Sequence, residues 1–316
     1  MNVLLTGAFG NLGSLVASKL LEREHRVVAF DVPSRTNRRI AQGIAKQPDV
    51  ETVWGDIRDA DRVTALVHRV DAVIHLAAII PPFSELDPEL ALAVNVGGTE
   101  HVLRAIEKAA RPPLLVFGSS ISVFGPREPG APLCTAKDPV VATDHYSGHK
   151  IHCEARIQTL ASPWAILRLA GMIDGRLRQR DPRQARMAFS LAPDSPVEYV
   201  HTSDAATAIV HVLDRPEAHD RIHLIGGGPE CQVTVLELTQ ALVGAYGIQV
   251  TADDMGDAPA SAPWLDTSES QRLLTYQEHT AEDLRRESLA RFALVRRLVR
   301  PLSPLLMRGL QWWLRH

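Results

Sequence analysis

Aromatic side chains are scarce in this chain. Phe, Tyr and Trp make up 5% of its 316 residues, so the core has to be built from aliphatic side chains within a 45% hydrophobic total. That length and apolar content suffice for one large or two unequal domains with a full core. Cysteine is scarcer still: Cys134, Cys153 and Cys231 are odd in number, widely spaced and free of any CxxC pair. A disulfide framework is thereby excluded, and a reducing compartment fits. No charged leader precedes the first strand, since MNVLL is itself that strand. A cleavable signal is not expected, and a cytoplasmic location is.

Acidic residues are absent after Glu287. All 37 Asp and Glu, but only 28 of the 34 Lys and Arg, lie in the first 290 residues, a formal −9; the last 26 residues carry +6. So acidic a body argues against nucleic-acid binding. No metal site is expected.

What is present is an alternation of apolar runs of strand length with amphipathic stretches of helix length. NVLLTG leads into a helix from Asn11 to about Glu24, then RVVAFD, VETVWGD, a helix through DRVTALVHR, DAVIHLAA, a helix around NVGGTEHVLRAIEKAA, and PLLVFGSS. This rhythm predicts a parallel sheet with helices on both faces and right-handed crossovers. The nearly continuous apolar runs VVAF, AVIHL and LLVFG fit strands buried on both sides. From about residue 170 the alternation loosens, which predicts a smaller, partly interleaved lobe over 170–290. The main domain takes 1–169, with 199–225 returning to it, and 291–316 forms a basic tail.

The first strand ends in TGAFGNLG, with glycine at positions 7, 10 and 13. A strand, this turn and a helix form a dinucleotide cradle: Gly7 for the tight turn, Gly10 for close approach of a pyrophosphate, Gly13 for helix packing, and the helix N-terminus for the phosphate charge. Phe9, Asn11 and Leu12 lie in the same turn. Asp31 ends the second strand 18 residues after Gly13, near the offset of an acid that bonds the adenosine ribose. A carboxylate there favours NAD; Arg35, Arg38 and Arg39 just beyond it keep NADP open, or form a solvated helix face.

The segment YSGHK places Tyr146 and Lys150 four residues apart, on one face of a helix. A lysine ammonium near the phenol oxygen favours phenolate and brings the phenol towards a useful range for proton transfer. Ser120, in GSSISVFG at the end of an apolar strand, stands at the carboxyl edge of the sheet, where open α/β sheets bind ligands.

With these residues in view, the chain resembles the extended short-chain dehydrogenase/reductase family, which contains the NAD-dependent epimerases and dehydratases. The resemblance spans roughly residues 1–287 and is carried by TGAFGNLG, Asp31, GDIRD, HLAA, NVGGT, SSISVFG, YSGHK, ILRL, VHTSDAA and LDTSESQRLL. It implies an α/β fold, a Rossmann-type doubly wound parallel sheet with a smaller C-terminal substrate lobe, and commonly a homodimer. It implies that Asp56 and Ile57 contact the adenine, that Leu76, Ala77 and Ala78 line the cofactor path, and that Asn95 supports an active-site water or the helix geometry. Tyr146 would exchange the hydroxyl proton, Lys150 would hold the nicotinamide ribose, and Ser120 would polarise the carbonyl. Ile80, Ser122, Gly171 and Met172 would face the substrate. His75 is expected to be a packed histidine rather than a general base.

Departures from the family pattern bear on the substrate. Members that act on nucleotide sugars carry an asparagine after the ILR strand, where this chain has Ala170, Gly171 and Met172. They also tend to have an Arg-Asp pair where it has Val197 and Glu198. Replacing that arginine removes a charge-assisted phosphate contact. Arg176, Arg178, Arg180, Arg183 and Arg186 offer another anion site or a solvated loop. The reading is an NAD(P)-dependent oxidoreductase acting on a secondary alcohol or ketone of a non-nucleotide small molecule. Two alternatives stand beside it: a nucleotide-sugar epimerase or dehydratase with tightly held NAD, and a cofactor-binding regulator without turnover.

The tail RFALVRRLVRPLSPLLMRGLQWWLRH mixes arginine with Leu, Val, Trp312 and Trp313. It is too interrupted for the ~20 apolar residues of a membrane span, and Pro301 and Pro304 break any single helix. Peripheral contact with an anionic membrane surface and packing on the protein or on a second subunit are both open.

Overall fold

A computed structural model describes residues 1–128, 130–174, 182–260 and 263–302. Among the described residues the ten strands are β1 (Asn2–Thr6), β2 (Arg26–Asp31), β3 (Val50–Trp54), β4 (Ala72–His75), β5 (Leu114–Ser120), β6 (Trp164–Leu169), β7 (Gly171–Ile173), β8 (Pro196–His201), β9 (Arg221–Ile225) and β10 (Gln232–Thr234). The helices are α1 (Asn11–Glu22), α2 (Arg35–Ile44), α3 (Ala60–Val67), α4 (Phe83–Leu86), α5 (Pro88–Leu92), α6 (Gly98–Lys108), α7 (His145–Ile157), α8 (Pro182–Ser190), α9 (Thr202–His211), α10 (Val235–Gly244), α11 (Ser268–Leu274) and α12 (Ala281–Val299).

Seven strands form one sheet in the order β3-β2-β1-β4-β5-β6-β9, and every neighbouring pair is parallel. This is a doubly wound sheet whose strand order reverses at β1, and ligands of such sheets sit beyond the carboxyl ends of the strands there. The continuous apolar runs have a direct physical cause. Val3 and Leu5 pack into the core on one face, with α1 residues Val16 and Leu20. Leu4 packs on the other, with Leu103 and Ile106 of α6. With both faces covered, no strand position is left for a polar alternation.

A second sheet, β10-β8-β7, forms the smaller lobe; β7 and β8 are parallel and β10 runs antiparallel to β8. Residues 199–201 belong to this small sheet, and the chain rejoins the main body at α9, whose Ala205, Ala208 and Ile209 share the α1 core. Residues 265–276 rejoin it as well: Leu265, Leu273, Leu274 and Tyr276 are buried in the same cluster, and the Tyr276 hydroxyl donates to the Gly226 carbonyl at 2.8 Å.

Local capping sets the helix that matters most to function. Asp144 caps α7, accepting from the Ser147 amide at 2.7 Å, while the Ser147 hydroxyl accepts from the Asp144 amide at 3.1 Å; this capping box orients the first turn in which Tyr146 lies. The basic tail is not a separate element up to residue 299. α12 runs unbroken for 19 residues across position 290.

Candidate active site

The glycine turn joins β1 to α1 as the sequence pattern predicts. Gly7 has φ +69°, and a Cβ there would lie 2.9 Å from the Ala77 nitrogen; a Cβ on Gly13 would lie 2.0 Å from the Gly7 carbonyl oxygen. Gly13 therefore lets α1 close against the turn itself. Gly10 is the N-cap of α1 and supplies no side-chain hydrogen bond, so the first amides of the helix point outward without a protein side chain to satisfy them. Phe9 and Leu12 are buried, Asn11 and Gly10 exposed.

Asp31 closes this turn from the side. One carboxylate oxygen accepts from the Phe9 amide at 2.9 Å; the other accepts from the Val32 amide at 2.8 Å and the Asn37 side chain at 3.0 Å. Burial pushes its carboxyl above the ordinary value, against the pull of the two amides. Next to it the Trp54 ring lies 5.0 Å from Phe9, with the Arg38 guanidinium 5.3 Å above the indole. Arg35 and Arg39 are exposed. Trp54 and Asn37 carried no sequence signal; only strand register brings Trp54 opposite Asp31.

Asp56 is half-exposed and ion-paired to Arg58 at 2.7 Å, which holds its carboxyl below the usual range. The Ile57 side chain is 5% exposed within the core, where it packs against Gly98. Any nucleotide contact at this pair therefore belongs to Asp56 or to backbone. Leu76, Ala77 and Ala78 follow β4, half-buried; the Leu76 and Ala77 amides both donate to the Thr6 hydroxyl at 3.2 Å.

His75 is a packed histidine. Its Nδ1 lies 2.7 Å from the Thr6 hydroxyl and its Nε2 3.0 Å from that of Thr99. Thr99 donates its own hydrogen to the Asn95 carbonyl, so Nε2 must carry the imidazole proton and Nδ1 must accept from Thr6. Burial pushes its pKa down to about 3, which keeps it neutral. Asn95 uses its amide as a clip: Oδ1 accepts from the Ile79 amide and Nδ2 donates to the Ile79 carbonyl, both at 2.8 Å. That fixes the segment leading to Ile80, which is 49% exposed.

Ser120, Tyr146 and Lys150 converge at the end of β5. The Ser120 hydroxyl accepts from the Ser122 amide and hydroxyl at 3.2 and 2.9 Å and lies near enough to the Tyr146 phenol to oppose the rise in its pKa. With both acceptor positions of its oxygen taken by Ser122, its own hydrogen is left for the Tyr146 phenol or a substrate oxygen. Lys150 is 4% exposed, donates to the Gly118 carbonyl at 2.6 Å and lies 5.6 Å from the Tyr146 ring centre. Burial lowers its pKa to about 8.

One expectation is corrected here. The i, i+4 spacing predicted a phenol drawn down by the ammonium, yet burial pushes the Tyr146 phenol up, with only the Ser120 hydrogen bond opposing. The physical reason is that the lysine head faces the Gly118 carbonyl and the phenylalanine ring of Phe117, 4.5 Å away. Desolvation of a phenolate then outweighs a cation that is not hydrogen-bonded to it.

Gly171 and Met172 are exposed on β7, just past β6, which is the strand paired with Ser120. Val197 pairs with Val233 across the small sheet. Glu198 is fully buried and spends its carboxylate on Gly228, Gln232 and Leu265 at 3.1, 2.9 and 2.7 Å. Arg176, Arg178 and Arg180, and the side chain of Arg183, lie outside the described residues; Arg186 is exposed.

Two further groups brace the site. Glu85 of α4 accepts from the His145 and Tyr146 amides at 3.3 and 3.4 Å. Glu154 of α7 pairs with Arg168 of β6 and accepts from the Ser119 hydroxyl. A charged residue eight positions after Tyr146 was legible as helical, but nothing in its spacing named the strand it would meet.

Known proteins share the family pattern and the fold of this chain. The model of the NAD dependent epimerase/dehydratase family matches residues 3–187. The 3 beta-hydroxysteroid dehydrogenase/Delta 5-->4-isomerase of Mycobacterium tuberculosis is 34% identical over 128 residues, 39% of this chain and 33% of that protein. The chain thus matches about a third of that relative's length. The UDP-glucose epimerase YtcB of Bacillus subtilis is 24% identical over 301 residues, 89% of this chain and 94% of that one. The crystal structure of UDP-glucose-4-epimerase from Stenotrophomonas maltophila, with bound NAD and formylated UDP-arabinopyranose, shares the fold with a TM-score of 0.76 at 24% identity, over 94% of this chain and 99% of that one. With a family model covering more than half of its length on the strands and helices that build the glycine turn and the Ser120–Tyr146–Lys150 cluster, the chain belongs to the NAD dependent epimerase/dehydratase family.

Proposed function

We propose that the protein is an NAD-dependent oxidoreductase that interconverts a secondary alcohol and a ketone on a small molecule lacking a nucleotide. The observation that carries this reading is the gathering of Ser120, Tyr146 and Lys150 at the carboxyl edge of β5, with Ser122 donating to Ser120 and the Lys150 ammonium 5.6 Å from the Tyr146 ring and held on the Gly118 carbonyl. The glycine turn fits a pyrophosphate, because the uncapped α1 N-terminus and exposed Gly10 leave donors and space on one side. Asp31 has used three of the roughly four acceptor sites of a carboxylate and keeps one for a ribose hydroxyl. A 2'-phosphate there would meet that charge, which favours NAD over NADP.

Bound nicotinamide supplies or takes the hydride at the substrate carbon. The chain's own residues handle the proton. With its proton in place, Tyr146 gives it to the carbonyl oxygen as the alcohol forms. The phenolate regains its proton along Ser120 and Ser122, and half-buried Ser122 takes the replacement from solvent, so that no alkoxide is left behind. Lys150 has one N–H on Gly118 and further donors for ribose hydroxyls. Glu198 and Val197 bring no cation to the position where nucleotide-sugar enzymes would present one, which supports a substrate without a diphosphate. A homodimer, the assembly implied by the resemblance, is the proposed working unit. Its place is proposed to be the cytoplasm, where the three buried free thiols remain reduced.

The second reading is a nucleotide-sugar epimerase with retained NAD, favoured by the Bacillus subtilis relative that spans nearly all of both chains. One measurement separates them: nicotinamide released by denaturing the extensively dialysed protein. Empty protein that rebinds NAD reversibly is expected. Near-stoichiometric retained NAD would overturn the dehydrogenase reading in favour of the epimerase.

A further inference from the structure

α12 is divided along its length and around its girth. Its first half is neutralised locally, with Arg285 on Glu282 at 2.7 Å and Arg286 on Asp283. In the second half Arg296, Arg297 and Arg300 have no acidic residue within a helical turn in sequence, Arg291 has only Glu287 four positions before it, and none of the four forms an ion pair among the described residues. Around the helix, Leu284, Ser288 and Phe292, spaced by four, are buried; the Phe292 ring packs at a tilt on Tyr246, with ring centres 4.2 Å apart, and anchors the helix to the small lobe.

A different stripe of the same helix is left in water. Leu294 is 74% and Leu298 67% exposed. They are four residues apart, hence on one face, and exposed Ala290, Arg291 and Arg297 lie around them. The body has therefore taken one apolar face of α12 and left a second, which carries Glu287 at its start and only arginine among its charged residues from position 291 on. A surface complementary to it has to be both apolar and anionic. A second copy of the chain offers the same arginines and is disfavoured by like charge. The sequence beyond residue 302 continues the same chemistry with Arg308, Arg315, Trp312 and Trp313 and no acid. Among the described residues no helix is long and apolar enough to cross a membrane.

We propose that the C-terminal half of α12 is a docking surface for an anionic phospholipid bilayer, on which the helix lies in the interface plane. Leu294 and Leu298 enter the acyl boundary while Arg291 and Arg297 remain among the phosphates. Neither signal suffices alone: two leucines bind a bilayer weakly, and exposed charges hold only near an anionic surface.

The test is co-sedimentation of the full chain with vesicles of phosphatidylcholine alone and of phosphatidylcholine mixed with phosphatidylglycerol. Binding to the anionic vesicles only, weakened by salt, is expected. Replacing both arginines (Arg291→Gln, Arg297→Gln) should weaken it about 30-fold, at roughly fivefold per charge. The pair Leu294→Gln, Leu298→Gln should lower it to that of the neutral vesicles. Unchanged NAD affinity in both variants controls for folding. A full chain that stays in the supernatant would overturn the proposal, as would binding that neither variant weakens. Loss of a dimer in the leucine variant, without vesicle binding in the parent, would assign the face to a second copy instead.

Discussion

Glu154 and Arg168 form an ion pair of 2.7 Å in which both side chains are 4% exposed. The pair ties α7, which carries Tyr146 and Lys150, to β6, and the Ser119 hydroxyl and Ala136 carbonyl take its remaining capacity. Removing one partner of a buried pair leaves the other charge unpaired, at about 3–5 kcal/mol. Glu154→Ala is therefore expected to lose most of the stability of the domain in denaturant unfolding. Arg285→Ala, which breaks an exposed pair, should change it by less than about 1 kcal/mol. Equal effects would show that the buried pair does not hold α7 in place.

Tyr146→Phe removes the proton-exchanging hydroxyl but little packing. Turnover on any ketone substrate should fall by about 10²–10⁴, with NAD affinity nearly unchanged by fluorescence titration. Ser122→Ala should slow turnover less, because it interrupts the proton return and leaves the phenol itself in place. Retained turnover in Tyr146→Phe would refute the assignment.

His75 makes acid stability a test of burial. Its pKa is pushed down to about 3 in the fold, whereas in the unfolded chain it is near ~6.5. Between those values the unfolded state binds a proton that the folded state does not. Stability supported by neutral His75 is then full above about pH 6.5 and is lost as pH falls towards about 3, by at most ~1.4 kcal/mol per pH unit. His75→Gln should be less stable at neutral pH but lose stability less steeply on acidification. Parallel pH profiles for the two proteins would mean that His75 takes up a proton in the fold.

Asp31 serves both the turn and, in the proposed function, the ribose. Asp31→Ala should weaken NAD and reduce the preference over NADP, and by freeing the Phe9 amide it should also lower stability by about 1–3 kcal/mol. An unaltered ratio of NAD to NADP affinity would show that the carboxylate does not meet the ribose.

The α/β alternation, the β1–turn–α1 unit and the shared helix face of Tyr146 and Lys150 were legible because each depends on short-range rules. Burial on two faces makes an apolar run, a positive φ calls for glycine at position 7, and i, i+4 spacing aligns two side chains. What the residues do electrostatically was not legible. Lys150 meets the carbonyl of Gly118, 32 positions away, and the phenol of Tyr146 rises rather than falls. Asn95 became a clip for Ile79 and Ile57 turned inward because tertiary packing put those partners beside them. Proton affinity follows burial and neighbours brought together from distant parts of the chain, so no local pattern could set it. The basic, leucine-bearing character of α12 was likewise written in its residues, but which of its apolar faces the body covers and which it leaves to water was decided only when Phe292 found Tyr246.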